Sequence, residues 1–238
     1  MRQLASNLLD VIFPRHCGSC GNNVAEGHGH ICWQCRSRFA LITEPFCARC
    51  GDPAEGDVCH EYTCSWCKRE NVFFDRARSA LRYYGSVKKA MAQFKYNAYV
   101  WLADDLSRYL EACVKVHYGP GCIDAVVSVP LFSRKERERT FNQASLLARR
   151  LAKAIDAPFY GGSVVRVRDT GSQVKLNARQ RRTNVLNAFR VACRERIDGR
   201  SILLVDDVMT TGATVNECSK TLKEAGAVEV NVITVARG

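Results

Sequence analysis

Residues 202–214 read Ile-Leu-Leu-Val-Asp-Asp-Val-Met-Thr-Thr-Gly-Ala-Thr, and no other stretch limits the fold as strongly. Four apolar residues run into two carboxylates, and a short loop of threonines and one glycine follows. Val215, Cys218, Leu222 and Ala225 then recur at helical spacing before Gly226. An apolar run bounded by turn residues is the pattern of a buried parallel strand, and a glycine after a periodic run stops a helix. Asp206 and Asp207 therefore fall at the carboxyl end of a strand, where open α/β sheets bind their ligands. Residues 210–214 present backbone N–H groups and hydroxyls at a helix N-terminus, which favours an anion. Gly212 lets the backbone come close. One site thus offers carboxylates for hydroxyls or Mg²⁺ and a cradle for a phosphate.

Other folds end a strand on an acid. P-loop enzymes do, but G-x-x-x-x-G-K-[ST] is absent from this chain. In a receiver domain the acids come near the start of a domain of roughly 100 residues or more. Here they fall near the end of the sequence. The plainest reading is a buried strand running into a solvated turn, and Asp-Asp followed by Thr-Thr-Gly-x-Thr makes it the weaker one. The stretch resembles the phosphoribosyl pyrophosphate (PRPP) loop of type I phosphoribosyltransferases. That resemblance implies that Asp206 and Asp207 face the ribose hydroxyls, and that residues 210–214 wrap the 5′-phosphate.

At 238 residues the chain has room for a full α/β domain and something small beside it. No apolar run approaches the roughly 20 residues of a membrane span. Residues 1–13 are amphipathic through Leu4, Leu8, Leu9 and Ile12, carry Asp10, and read as a short packing helix and not a signal peptide. A cytoplasmic location is the expectation. The net charge of +11 is uneven: residues 1–75 hold 7 Lys+Arg against 9 Asp+Glu, so the whole basic excess lies beyond them. That balance suits a polyanionic ligand, either pyrophosphate groups or nucleic acid. Plain solubility is the rival reading.

Nine of the 13 cysteines fall within the first 67 residues. Eight form C-x-x-C pairs: Cys17/Cys20, Cys32/Cys35, Cys47/Cys50 and Cys64/Cys67. Each such turn puts two thiolates on one side of a metal, and two turns complete a tetrahedron. The natural grouping places Cys17, Cys20, Cys32 and Cys35 on one structural Zn²⁺ and Cys47, Cys50, Cys64 and Cys67 on a second. Gly18, Gly21 and Gly51 supply turns at the knuckles. A disulfide framework belongs to exported chains, and a thioredoxin-like motif needs one pair beside a βαβ unit. Cys59 and His60 offer further ligands and are read as spare. A double ribbon over 14–70 has little core, so its folding leans on metal. Trp33, Phe39, Phe46 and Trp66 are the expected small core. The slight negative charge of the ribbon favours a scaffold or protein contact over direct DNA binding.

From residue 71 onward the main domain is expected. Residues 72–84 look strand-like, helical patterns cover roughly 86–96 and 98–117, and residues 123–130 read as the first strand of the sheet. The basic run 133–144 opens a helix to about Ile155; it reads either as a solvated, salt-bridged helix start or, favoured here, as cations just past a strand's carboxyl end that are placed for a pyrophosphate. Residues 163–168 form another short strand. The basic stretch 169–189, with Gln173, Lys175, Arg179, Arg181 and Arg182, is either a mobile loop that closes on an anion or an exposed helix with Leu176, Val185 and Phe189 turned inward. Residues 202–207 and 228–235 complete the sheet, joined by a helix over about 214–225.

Several features then agree in order: four C-x-x-C pairs; Val129-Pro130-Leu131; Arg139-x-Phe141-Asn142-Gln143; Gln173-x-x-Leu176; Arg182-x-Asn184-Val185-x-x-Ala188-Phe189; and residues 205–214. Together they resemble the ComF/GntX family over nearly the whole chain. The resemblance implies a zinc ribbon fused to a type I phosphoribosyltransferase-like parallel sheet with helices on both faces. It also implies a link to natural transformation and the use of external DNA. Expected partners are PRPP with Mg²⁺, single-stranded DNA, and a competence helicase or other DNA-processing protein. Asp206 and Asp207 would carry catalysis, and PRPP would touch Thr210, Thr211, Gly212, Ala213 and Thr214. Residues 128–131, including Pro130 and Leu131, would form the pyrophosphate loop. Arg134, Arg139, Asn142 and Gln143 follow it, and Gln173 and Arg182 would lie in the flexible loop around 170–184. One departure is Thr140, where the family usually has glycine. Nothing in the sequence announces an acceptor.

Overall fold

The computed structural model describes residues 15–24, 29–54, 56, 61–171 and 177–238. The reading of residues 1–13 as a helix lies outside them, as do Gln173, Leu176, Cys59 and His60.

Four parallel strands form the central sheet: β1 (Arg76–Arg82), β2 (Ala125–Ser128), β5 (Ser201–Met209) and β6 (Glu229–Arg237), in the order β1-β6-β5-β2. Central β5 and β6 carry long apolar runs, because a strand covered on both faces has no side that can be polar. Ile202, Leu203, Leu204, Val205, Val230, Val232 and Ile233 are all fully buried. Residues 123–130 do not hold the first strand. Arg76–Arg82 precedes them and pairs in parallel with β6, from Arg76 opposite Asn231 to Arg82 opposite Arg237. Its buried Ser79 hydroxyl is satisfied by Thr234 at 2.6 Å. Hydropathy marks a strand but carries no record of sheet order. The 163–168 strand is also separate: β3 (Val164–Arg166) and β4 (Phe189–Val191) pair antiparallel as their own small sheet.

One face of the sheet is covered by α3 (Gly85–Tyr96), α4 (Leu102–His117) and α6 (Gln143–Ala154). Leu102, Leu106 and Leu110 on α4 and Leu147 and Leu151 on α6 are fully buried, the stripe expected of helices lying on a sheet. The other face carries α8 (Ala213–Glu224), through Val215, Cys218 and Leu222, and the second cysteine cluster. Helix α7 (Ala178–Val185) begins on a capping box between Asn177 and Gln180. Of the basic stretch, Ala178–Val185 is helical and Phe189 opens β4, with Val185 and Phe189 both buried.

The helix read from 133 to about 155 is broken into α5 (Ser133–Arg139) and α6. The break is Thr140, at φ 65° and ψ −8°. A β-branched residue rarely adopts this left-handed conformation, which costs about 1–3 kcal/mol. Glycine adopts it freely, although glycine also loses about 0.5–1 kcal/mol through greater freedom in the unfolded chain. Thr140→Gly should therefore stabilise the protein by about 1 kcal/mol, read as a higher melting temperature. An unchanged or lower value would show that Thr140 is unstrained.

The ribbon residues include two short helices, α1 (Trp33–Arg36) and α2 (Ser65–Arg69). They pack onto the sheet domain through specific contacts. Asp105 of α4, 4% exposed, accepts the His30 N–H at 2.7 Å and the Arg36 guanidinium at 2.8 Å. Gly51, at φ 66°, lies so close to β1 that an added Cβ would stand 2.7 Å from the Ala77 carbonyl oxygen. Arg237 at the end of β6 donates to Asp52 and to the Cys50 carbonyl, both at 3.1 Å. Phe39 and Phe46 are buried as expected, but Trp33 is 76% exposed among the described residues.

Candidate functional site

Cys17, Cys20, Cys32 and Cys35 form one cluster and Cys47, Cys50, Cys64 and Cys67 another, with the Sγ atoms of each within 4.8 Å of one another. The grouping read from the spacing, first two pairs together and last two together, is the one observed. The Cys20–Cys32 and Cys50–Cys64 sulfurs stand 3.7 Å apart. That matches the edge of about 3.8 Å for a tetrahedron with Zn–S bonds of about 2.3 Å. Backbone N–H groups stabilise the thiolates: Cys32 N–H donates to Cys17 Sγ and Cys64 N–H to Cys47 Sγ, both at 3.3 Å. Burial opposes ionisation of Cys17, yet the N–H groups of Cys32, Cys20 and Ser19 outweigh it and hold that thiol down at about 7. Side-chain hydrogen bonds from Cys50 and Cys67 pull Cys47 far below the ordinary thiol value. Both clusters fit zinc ribbons.

The second feature is a cleft of about 420 Å³ at the carboxyl ends of β2 and β5. Val129 N–H donates to the Val205 carbonyl at 2.9 Å, so the loop after β2 lies directly beside Asp206. Asp206 and Asp207 both line the cleft floor. Asp206 Oδ1 accepts the Asp207 N–H at 2.8 Å. Burial, and then the charge of Asp207, push the Asp206 carboxyl up to about 7. Asp207 is paired with Lys95, its Oδ1 2.9 Å from Nζ.

Around these acids stand cations. Lys88, Lys95, Lys135, Arg139, Arg166 and Arg181 all line the cleft, six against two carboxylates. Burial, and next the charge of Arg166, push Lys135 below the ordinary lysine value. Arg166 stacks on Phe189, and its buried Nε has no acceptor among the described residues. A surplus of crowded cations, one with an orphaned donor, is built for an anion. The loop after β5 adjoins the cleft, with Thr210, Thr211, Gly212, Ala213 and Thr214 around a small cavity of about 60 Å³. Helix α8 starts at Ala213; its N-cap Gly212 has no side chain to offer, and Thr211 Oγ1 accepts the Ala213 N–H at 3.4 Å. Gly212 sits at φ 75°, where an added Cβ would meet Met209 at 2.8 Å and Trp66 of the second ribbon at 3.4 Å.

Most of the residues singled out from the sequence converge here. Asp206, Asp207, Thr210, Thr214, Pro130, Leu131, Arg139, Asn142 and Gln143 share the cleft. Asn142 and Gln143 are buried in its wall. Asn142 caps α6 by accepting from Ser145 N–H and donates to the Val129 carbonyl, while Gln143 accepts from Arg139 at 3.1 Å. Arg134 points elsewhere, to Asp169 at 2.7 Å, and Arg182 pairs with Glu70. Lys88, Lys95, Arg166 and Arg181 were not singled out as site residues. Lys95 lies on a helix far from Asp207 in sequence, and no motif marks it. Arg181 was visible only as one of many cations, and it donates to Thr210 Oγ1 at 2.7 Å.

Among the described residues no helix is long and apolar enough to cross a membrane. Residues 8–69 match the double zinc ribbon domain, and residues 142–238 match the phosphoribosyl transferase domain. Competence protein F of Haemophilus influenzae is 31% identical over 229 residues, 94% of this chain and 98% of its own. The DNA utilization protein YhgH of Escherichia coli K12 is 33% identical over 228 residues, 94% of this chain and 97% of its own. Competence protein ComFC of Bacillus subtilis is 27% identical over 214 residues, 87% of this chain and 84% of its own. The chain therefore belongs to the competence protein F and DNA utilization protein family, in which a double zinc ribbon precedes a phosphoribosyltransferase-like domain.

Proposed function

We propose that the cleft binds PRPP with Mg²⁺ and that the chain is a phosphoribosyltransferase-like protein serving competence or the use of external DNA. The observation that supports this most is the set of chemistries gathered at one cleft. The N-terminus of α8 with its three threonines, the two carboxylates, and Lys135 and Arg139 with residues 129–131 all line this cleft or the small cavity that adjoins it. PRPP presents matching groups: a phosphate, ribose hydroxyls and a pyrophosphate. Residues 210–214 wrap the 5′-phosphate, Asp206 and Asp207 accept from the hydroxyls, and the basic wall meets the pyrophosphate. Loss of pyrophosphate from C1 of the ribose builds positive charge on the ring and negative charge on the leaving group. Mg²⁺ supplies further neutralisation of that leaving charge when bound, and the arginines and lysines are fixed where it develops.

A second reading is a module that senses PRPP without turning it over. It draws on the Lys95–Asp207 pair, which already occupies part of the acidic site. One experiment separates the readings. PRPP with Mg²⁺ at about 100 times its dissociation constant should stabilise the protein by about 2.7 kcal/mol. Release of pyrophosphate in the same sample once purine, pyrimidine and amine acceptors are supplied, one forming the new bond to C1, marks an enzyme, and stabilisation without release with any of them marks a sensor. No shift at saturating PRPP would sink both.

A further inference from the structure

Lys95 is a cleft cation that pairs directly with one of the two acids. It sits in the last turn of α3, and its Nζ is 2.9 Å from Asp207 Oδ1, with side chains 16% and 13% exposed. The lysine is held at both ends. Its own carbonyl accepts from Gln143 Nε2 at 3.4 Å, and Gln143 is 1% exposed. Burial pushes the ammonium toward its neutral form, but the charges of Asp207 and Asp206 outweigh it and keep Lys95 protonated. The acids themselves are partly engaged. Asp207 Oδ1 faces the ammonium, and Asp206 Oδ1 accepts a backbone N–H. A hard divalent cation needs several free oxygens converging on one point. Here a fixed positive charge already stands against one of the two carboxylates.

The geometry points to Lys95 as the resident counter-ion of the acidic pair: it positions Asp207 and takes the place a divalent cation would otherwise hold there. This rests on the PRPP reading for its meaning in function. In that context a divalent ion in the cleft belongs to the pyrophosphate end of the ligand, and the acids are left to the ribose hydroxyls.

The test uses Mn²⁺ as the probe, titrated into the zinc-loaded full chain without PRPP and followed by electron paramagnetic resonance. The wild type and Lys95→Arg should show no Mn²⁺ site at the acidic pair. Lys95→Met keeps the stem of the side chain and removes the charge. It should gain one site, at least about tenfold tighter than any in the wild type, since one charge-assisted contact is worth about that factor. Adding Asp207→Asn to Lys95→Met should abolish the site. A folded Lys95→Met that gains no Mn²⁺ site would overturn the inference. So would a wild-type Mn²⁺ site that disappears in Asp207→Asn, a result that does not depend on Lys95→Met folding. PRPP calorimetry in Mg²⁺ reports on the ligand reading separately, because the Mn²⁺ arm contains no PRPP.

Discussion

Replacing Cys47 with serine should strip the second zinc and unfold the ribbon around it. Cys47 is fully buried and shares its core with Cys50, Cys67, Phe74 and Ala77. Little else supports that segment. Zinc binding is worth an apparent ~10–16 kcal/mol in zinc-finger peptides, while a whole domain is stable by only about 5–15 kcal/mol. Losing even half of the metal's contribution exceeds what the local core can offset. The damage should also spread, because Trp66 packs against Gly212 and Arg237 reaches Cys50. Metal content by mass spectrometry should fall from two zincs to one, and melting should occur many degrees lower. Cys20→Ser, at an exposed ligand of the first cluster, should cost less. A Cys47→Ser protein that keeps two zincs and its melting temperature would show that this cluster is not a metal site.

Asp206→Asn should stabilise the ligand-free protein at pH 8 and much less at pH 5. The carboxyl is raised to about 7 by burial and by Asp207. An unfolded aspartate has a pKa of about 3.9. A raised folded value means that the stability linked to this group is fully present below about pH 4 and is lost as pH rises through about 7. A shift of about three units corresponds to about 4 kcal/mol. Asp206 keeps some solvent contact at the cleft floor, which lowers the expected gain to about 2–3 kcal/mol. Asparagine carries no charge to desolvate. Melting curves of both proteins at pH 5 and pH 8 decide it, and a difference that does not widen with pH would contradict the account. The same substitution should weaken PRPP binding, so stability and ligand affinity should move in opposite directions. That is the behaviour expected of strain kept for function.

What could be read from the chain in advance was local. The β5 run, its two terminal acids and the helix that starts just past Gly212 follow from apolar continuity and turn chemistry, all within residues 202–225. The cysteine grouping followed because a C-x-x-C turn can present only two ligands. What could not be read was long-range. The pairing of Lys95 with Asp207 joins a helix to a strand across most of the domain. Trp33 is apolar enough for a core, but among the described residues it is left 76% exposed on α1. The break at Thr140 is a backbone conformation that the residue type argues against.

The central claim is that this cleft takes PRPP, and calorimetric titration of PRPP with Mg²⁺ into the zinc-loaded chain tests it most directly. The account predicts saturable binding of one PRPP per chain, lost or greatly weakened in Asp206→Asn while both zincs stay in place. No heat of binding in the wild type, or undiminished affinity in that variant, would contradict it.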